Sequence, residues 1–393
     1  MRRIYLDYAA TTPVDARVVE SMTPYFSVMF GNASSIHGYG RDAKAALENS
    51  RAKLAGYLGA KESEFFFTSG GTESDNLALL GIAARFSSTQ KKHLVISSIE
   101  HHAVIRSAES LEEAGFSVSS LPVNSKGLVS PDDLERAVTD ETFLVSIIHA
   151  NNETGTLQNL PELVRVVHNK GVLFHTDTVQ SFCKTELDVR ETGVDLASFT
   201  AHKICGPKGI GGLFVKRGVD PAPILHGGSQ ERNRRPGTES IPLVVGFAKA
   251  AELCTVEYEA EKIRLSRLNA ILRDRISASV PGAVFNSPAE NSIPNILSVS
   301  IDSNEIEIDG EALIINMDLE GIAVTSGSAC SSGSLQPSHV IKALGRDDRT
   351  IMATVRFSFG RFTTEEEIAI AADTLSRAVT RIGKRKKISS AVS

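Results

Sequence analysis

The sequence predicts an α/β fold: a mostly parallel sheet covered by helices on both faces, followed by a smaller C-terminal domain. Three observations predict it. Apolar runs of strand length alternate with helical patterns from about residue 63 to 216, the signature of strands joined by helical crossovers. A chain of 393 residues holds two to three domains at roughly 150 residues each, or one large α/β domain and a smaller one. With 41% hydrophobic and 23% charged residues it can bury a sizeable core, which excludes a disordered or collagen-like chain.

The elements follow in order. Met1-Arg2-Arg3-Ile4-Tyr5-Leu6-Asp7 is basic but has no apolar stretch behind it, so no signal peptide is expected. Glu64–Thr68 reads as a strand before a helix through Asn76–Leu80, and His93–Ser97 as a strand before a helix near Ala103 to Ala114. Leu144–Ile148 precedes a helix near Leu160 to Asn169, and the apolar runs Val172–His175 and Leu196–Phe199 follow. A long helical pattern near Ile241 to Ser279 ends at Pro281-Gly282 and connects the large domain to a second one with strands near Ile296–Ile301 and Thr354–Phe359. The basic run Lys384–Lys387 and the Ser-rich end read as a solvated, frayed tail. There is no internal repeat or low-complexity tract. No apolar run approaches the roughly 18 residues that cross a bilayer, so neither a membrane nor a secreted location is expected and the cytoplasm is. A net charge of -5 gives no excess of cations for nucleic acid.

Five polar clusters stand out, several at strand ends, where this fold class delivers functional residues. Thr68-Ser69-Gly70-Gly71-Thr72-Glu73-Ser74 joins a strand to a helix. Its glycines allow close backbone approach and its helix N-terminus offers free N–H groups to an anion; an ordinary capped turn is the alternative. Asp177, in His175-Thr176-Asp177-Thr178-Val179-Gln180, is either a charged partner for a ring nitrogen or metal, or a helix cap. Lys203 follows an apolar strand and precedes the rigid Cys205-Gly206-Pro207-Lys208-Gly209 turn; a lysine held at a buried site can form a Schiff base, whereas a lone one is usually a surface residue. Arg356, inside the apolar run Val355–Phe359, needs an anionic partner, either a ligand carboxylate or an internal acid. Cys330 lies among small polar residues from Thr325 to Ser334, a loop able to carry a thiol between exposed and buried positions. The other cysteines, Cys183, Cys205 and Cys254, look structural, and the absence of a CxxC excludes a zinc framework. Together the clusters supply what an enzyme using pyridoxal phosphate on an amino acid needs.

These motifs resemble the cysteine desulfurases of the NifS/IscS type, within the class V aminotransferase fold. The resemblance runs over nearly the whole chain, from Tyr5-Leu6-Asp7-Tyr8-Ala9-Ala10-Thr11-Thr12-Pro13 through Glu100-His101-His102, His149-Ala150-Asn151-Asn152-Glu153-Thr154-Gly155 and Gly227–Glu239 to Arg356-Phe357-Ser358. It implies the type I fold of pyridoxal-phosphate enzymes, with a seven-stranded sheet in a large domain over 16–256 and a small domain formed by 1–15 and 257–393. It implies that Lys203 forms the Schiff base with the cofactor, His101 stacks on the ring and Asp177 pairs with the ring nitrogen. Gln180 and Asn152 then contact cofactor or substrate atoms, and Gly71, Thr72, Thr200 and His202 hold the phosphate. Thr238 reaches a phosphate in the other subunit of a homodimer, and Arg356 holds the carboxylate of L-cysteine. Cys330 takes the substrate sulfur as a persulfide and delivers it to an iron–sulfur scaffold or another acceptor protein; no metal of the chain's own is implied, although Cys330 could share a cluster with the scaffold. Thr200 stands where Ser is common, Pro236 where a small residue is usual, and Gln336 where Glu is frequent. The rivals are a selenocysteine lyase or another class V enzyme, and a non-catalytic sulfur-transfer scaffold. A nucleotide-binding protein is disfavoured, since there is no GxGxxG after the first strand and no GK[ST].

Overall fold

The computed structural model describes residues 3–326 and 336–385. Its largest sheet has seven strands: β1 (Phe65–Thr68), β2 (His93–Ser97), β3 (Ser117–Leu121), β4 (Thr142–Ser146), β5 (Leu173–Asp177), β6 (Leu196–Thr200) and β7 (Gly211–Val215). They lie in the order β1-β7-β6-β5-β4-β2-β3. Only β7 runs against its neighbours β1 and β6; the other pairs are parallel. The reason is side-chain alternation. Phe65, Phe67, Val95, Val145, Phe174, Ala197 and Phe199 enter one core, while Phe66, Leu94, Ile96, Leu144, Leu196 and Leu213 enter another across the sheet. Strands apolar on both faces are stable only between two helical layers.

Two strands escaped the apolar-run reading. Ser117–Leu121 is a half-exposed edge strand whose serines hide the pattern, and Gly211–Val215 begins inside a glycine-rich segment that reads as a turn. Gly212 is required there because a Cβ would stand 2.3 Å from the Phe65 ring. Strand β4 also begins and ends two residues before the apolar run read from sequence.

A second, three-stranded antiparallel sheet has Ile296–Ile301 at its centre, flanked by Ala283–Phe285 and Thr354–Ser358. Its core takes Leu268, Leu272 and Ile276 from the helix Tyr258–Ser279, and Ile368, Leu375 and Val379 from Glu365–Ile382. Ile4 and Leu6 join the same core, and Ile4–Tyr5 pairs in parallel with Ile322–Ala323. The N-terminal residues therefore pack with the C-terminal unit.

The single long helix expected over 241–279 is two. Ile241–Val256 is buried against the seven-stranded sheet's core, and Tyr258–Ser279 belongs to the second core. The break at Glu257, which leaves helical geometry, is fixed by ion pairs to Arg17 at 2.8 Å and Arg361 at 2.6 Å. The C-terminal basic run is also not wholly a frayed tail: Lys384–Arg385 pairs antiparallel with Ile306–Glu307. Residues 386–393 lie outside the described residues. Among the described residues no helix is long and apolar enough to cross a membrane.

Candidate active site

The carboxyl ends of β1, β2, β4, β5 and β6 converge on one cavity of about 410 Å³. Strand β5 ends on Asp177, and β6 ends on Thr200 before the single turn Ala201–Lys203. After β1 the chain turns through Ser69-Gly70 into the helix Gly71–Phe86. After β2 it reaches Glu100 and His101, which caps the helix His102–Glu113. The second sheet contributes Arg356 from its edge strand. Gly71, Thr72, His101, Asn152, Asp177, Gln180, Thr200, His202, Lys203 and Arg356 all line the cavity. The topology thus gathers residues scattered over 285 positions, the span from 71 to 356.

Lys203 Nζ donates to the carbonyls of Ala9 and Ala10, each at 2.6 Å. Burial, reinforced by the nearby Lys184 and Arg356 cations, pushes its amine down to about 7. Near neutral pH a substantial share is therefore the free base, the nucleophilic form of a lysine. Asp177 is buried, and burial raises its carboxyl to about 6, while the Val179 N–H at 2.8 Å and the Lys203 charge oppose that rise. It remains mainly ionised at neutral pH. The surrounding protein and the Lys203 ammonium hold His101 near 4. Its Nδ1 accepts the Ala103 N–H at 3.1 Å, so the neutral ring carries its proton on Nε2.

The phosphate-type end is built from the N-terminus of Gly71–Phe86, a helix of 16 residues, with Thr72, Thr200 and His202 around it. Gly71 has no room for a side chain: a Cβ would come within 2.6 Å of Val179 Cγ2. His202, pushed down to about 4 by burial and by Lys203, holds Thr11 Oγ1 at 3.2 Å.

Arg356 takes the internal-acid alternative of its sequence reading and also lines the cavity. One guanidinium nitrogen pairs with Asp7 at 2.8 Å and another donates to the Asn152 carbonyl at 2.9 Å. Its Nε is buried with no hydrogen-bond partner. Gln180 lines the cavity, but its amide donates to the Ala9 carbonyl at 2.8 Å and accepts from Lys184 at 3.3 Å. Thr238 is exposed on a separate loop and does not reach this cavity. Cys330 lies outside the described residues; the residues that flank its segment, Thr325 and His339, both line the cavity.

Several site residues carried no sequence assignment. Asp7 is Arg356's partner, and Glu153, buried, accepts from Ser338 at 2.6 Å just beyond the Cys330 segment. Asp75 and Glu100 are buried acids in the cavity wall. Asp75 was legible in principle: it shares a helical face with Gly71, Ala78 and Ile82, where an acid is out of place.

The residues present fit pyridoxal phosphate. The wall offers a depressed lysine amine, a buried carboxylate at a strand end, a cavity-facing histidine and a helix N-terminus without a side chain at Gly71. Arg356 lines the same space.

The fold and the site define a class, and the family comparison agrees: the model for aminotransferase class-V matches residues 4–370, and the chain belongs to that family. It is a pyridoxal-phosphate-dependent enzyme. Within the class its similarity is to one group. The cysteine desulfurase IscS of Dictyoglomus turgidum is 42% identical over 381 residues, covering 97% of this chain and 95% of that protein. A solved NifS-like protein superposes with a TM-score of 0.90 at 37% identity, over 96% of this chain and all of the other. A structure described as SspA in complex with cysteine gives 0.79 at 34%, over 92% and 100%.

Proposed function

We propose that this chain is a cysteine desulfurase that converts L-cysteine to L-alanine and passes the sulfur to Cys330 as a persulfide. The balance is simple. The cysteine C–S bond breaks, a sulfur–sulfur bond forms on Cys330, and the Cys330 proton ends on the alanine product. Pyridoxal phosphate, when bound, supplies an electron sink for the substrate's reacting carbon.

The carrying observation is Lys203, a half-buried side chain whose amine is held near 7 in one cavity with Asp177 and Arg356. Its free-base form attaches the cofactor and, once released, accepts a proton from the substrate. Asp177 carries the negative charge that keeps the ring nitrogen protonated. Gly71, Thr72, Thr200 and His202 hold the phosphate, and Gln180 and Asn152 orient the ring and substrate. His101, neutral with its proton on Nε2, covers the ring and moves a proton at that atom. Arg356 receives the substrate carboxylate. Thr325 and His339 bracket the segment carrying Cys330 at the cavity, which supports the thiol's place in the reaction.

The active unit is a homodimer in which Thr238 of one subunit completes the phosphate site of the other. Two features support this. Thr238 lies off its own cavity, on a loop fixed at its base by the buried Glu231–Arg51 pair at 2.6 Å. The segment from 19 to 39 also exposes Phe26, Val28, Phe30, Ile36 and Tyr39, an apolar surface that a second copy would cover. The large unit spans 16–256 and the small one 1–15 with 257–393. The enzyme works in the cytoplasm and needs no metal of its own, and an iron–sulfur scaffold or other acceptor takes its sulfur.

The test is Cys330→Ala. Sulfur transfer to an acceptor should fall to background while the bound cofactor keeps its visible absorption. Cysteine-dependent sulfur transfer at the wild-type rate by that variant would remove Cys330 from the mechanism.

A further inference from the structure

Below the cavity lies a group of buried acids that the reaction as described does not use. Asp75, on the helix Gly71–Phe86, is 1% exposed and its Oδ1 has no hydrogen-bond partner. Ligand atoms of Asp75, Asp177 and His101 lie within 4.8 Å of one another. Two carboxyls this close in a dry site cannot both ionise, because each charge raises the cost of the other.

The surroundings decide which one keeps the proton. Asp177 has the Val179 N–H on Oδ1 and attraction from Lys203. Asp75 has the Ser198 hydroxyl, which opposes the rise, and no cation against it. The nearest ring is His175, whose Nε2 is 3.7 Å from Asp75 Oδ1, and that ring is held neutral by burial. His175 is itself bound on both sides by serines, Ser146 at 2.8 Å and Ser198 at 3.0 Å, so it is not poised to supply charge. Glu100, the other acid facing this space, is also fully buried. It accepts from the Ile148 N–H at 2.7 Å and from Ser97 Oγ, and its remaining oxygen is unpartnered. His101 is neutral and Lys203 lies on the Asp177 side.

We propose that Asp75 is a positioning residue: it stays a neutral carboxylic acid beside Asp177, so the pair carries one negative charge and that charge resides on Asp177, under the ring nitrogen. The proposal rests on the reading of Asp177 as the ring-nitrogen partner. An ionised Asp75 would divide the charge between two sites and strengthen the ammonium form of Lys203. A neutral Asp75 leaves the charge where the cofactor needs it and the lysine free to lose its proton. Burial raises the Asp75 carboxyl well above the ordinary range, in the direction this arrangement requires.

The experiment is carboxyl-carbon NMR on the full-length protein labelled with ¹³C at the aspartate side chains, loaded with pyridoxal phosphate and again after its removal. In both states one aspartate resonance should still report the acid form at pH 7. It should vanish in Asp75→Asn, while the Asp177 resonance of the cofactor-free protein keeps its titration midpoint within about half a pH unit. An ionised Asp75 predicts neither result. If every aspartate of the wild-type protein is ionised at pH 7, the proposal is wrong. It is equally wrong if Asp75→Asn drops the Asp177 midpoint by more than about one unit, since that would mean a like charge had been removed. If the variant does not fold, a wild-type spectrum without an acid-form aspartate still overturns the proposal. The cofactor-free spectra bear on Asp75 alone, so a failed cofactor reading is recognised separately by absent binding of pyridoxal phosphate.

Discussion

Two regions on either side of Lys203 bury reactive side chains, and they do so to opposite effect. In front, the cavity holds Lys203 near 7 and His101 near 4. Behind, in the seam between the two cores, a smaller pocket brings Cys183, Cys205 and Cys254 together with Lys184. There burial pushes Cys254 up to about 12 and raises the other two thiols as well. The same dry surroundings that turn a lysine into a nucleophile turn a cysteine into an inert thiol, because burial always favours the neutral form. Neutral is the reactive state for an amine and the unreactive one for a thiol. A thiol that takes sulfur must therefore escape such a setting, and Cys330 sits instead in a run of Gly and Ser.

The contrast breaks most completely at Lys203. Lys203→Ala should lower alanine formation by about three orders of magnitude or more and abolish the visible band of covalently held cofactor, measured by absorbance. Asp177→Asn removes the charge proposed to partner the ring nitrogen and should cost about a hundredfold in kcat or more, with the cofactor still bound.

Protein stability should respond next. His175, His149 and His202 are held neutral in the fold, at about 3, 4 and 4, below an ordinary value of 6.5. A depressed histidine contributes stability that is full above 6.5 and is lost as pH falls from there through about 4. Asp177 and Glu100, raised to about 6 and about 8, gain stability over the same fall in pH and oppose that loss. His149→Gln should therefore lose less melting temperature than the parent protein as pH falls from 8 to 4; an equal change in both would mean that this ring is not held neutral.

Lys184 sharpens the comparison because it faces both regions. It is pushed down to about 8 by burial, and its residual charge is, after burial itself, the next cause of the low Lys203 value. Lys184→Met should raise the Lys203 titration by about half a unit to one unit, read as an upward move of the pH midpoint for attachment of pyridoxal phosphate to the cofactor-free protein. The smallest effect belongs to the seam. Cys254→Ala should cost about 1 kcal/mol of stability and less than about twofold in activity. An alkylating agent at pH 7 should also spare Cys183, Cys205 and Cys254 in the native protein.

Much of this was legible in the sequence where chemistry and strand pattern coincide. Asp177 and Lys203 were found because each directly follows an apolar run, and a strand end is where this fold class places function. The Gly70-Gly71 turn was legible as a strand-to-helix junction, and the structure places Gly71 on the cavity wall. What stayed hidden depended on pairing over long distances in sequence. Asp7 meets Arg356 across 349 positions, and nothing in either neighbourhood announces the other. Asp75 looked like one polar residue in a helix start, because only the folded arrangement brings it beside Asp177. The break at Glu257 was invisible because both flanking segments are good helix formers, and tertiary ion pairs end the helix there. Strand β3 was missed because its exposed edge lets serine occupy positions that an internal strand fills with apolar residues.

The central claim is that the Lys203 cavity binds pyridoxal phosphate and works on L-cysteine. The direct test is the visible absorption spectrum of the cofactor-loaded protein before and after L-cysteine, with alanine assayed in the same sample. The account predicts a Schiff-base band that shifts on adding L-cysteine, with alanine formed, and neither in Lys203→Ala. A protein that takes up no pyridoxal phosphate, or that holds it with an unchanged band and no alanine, would contradict it.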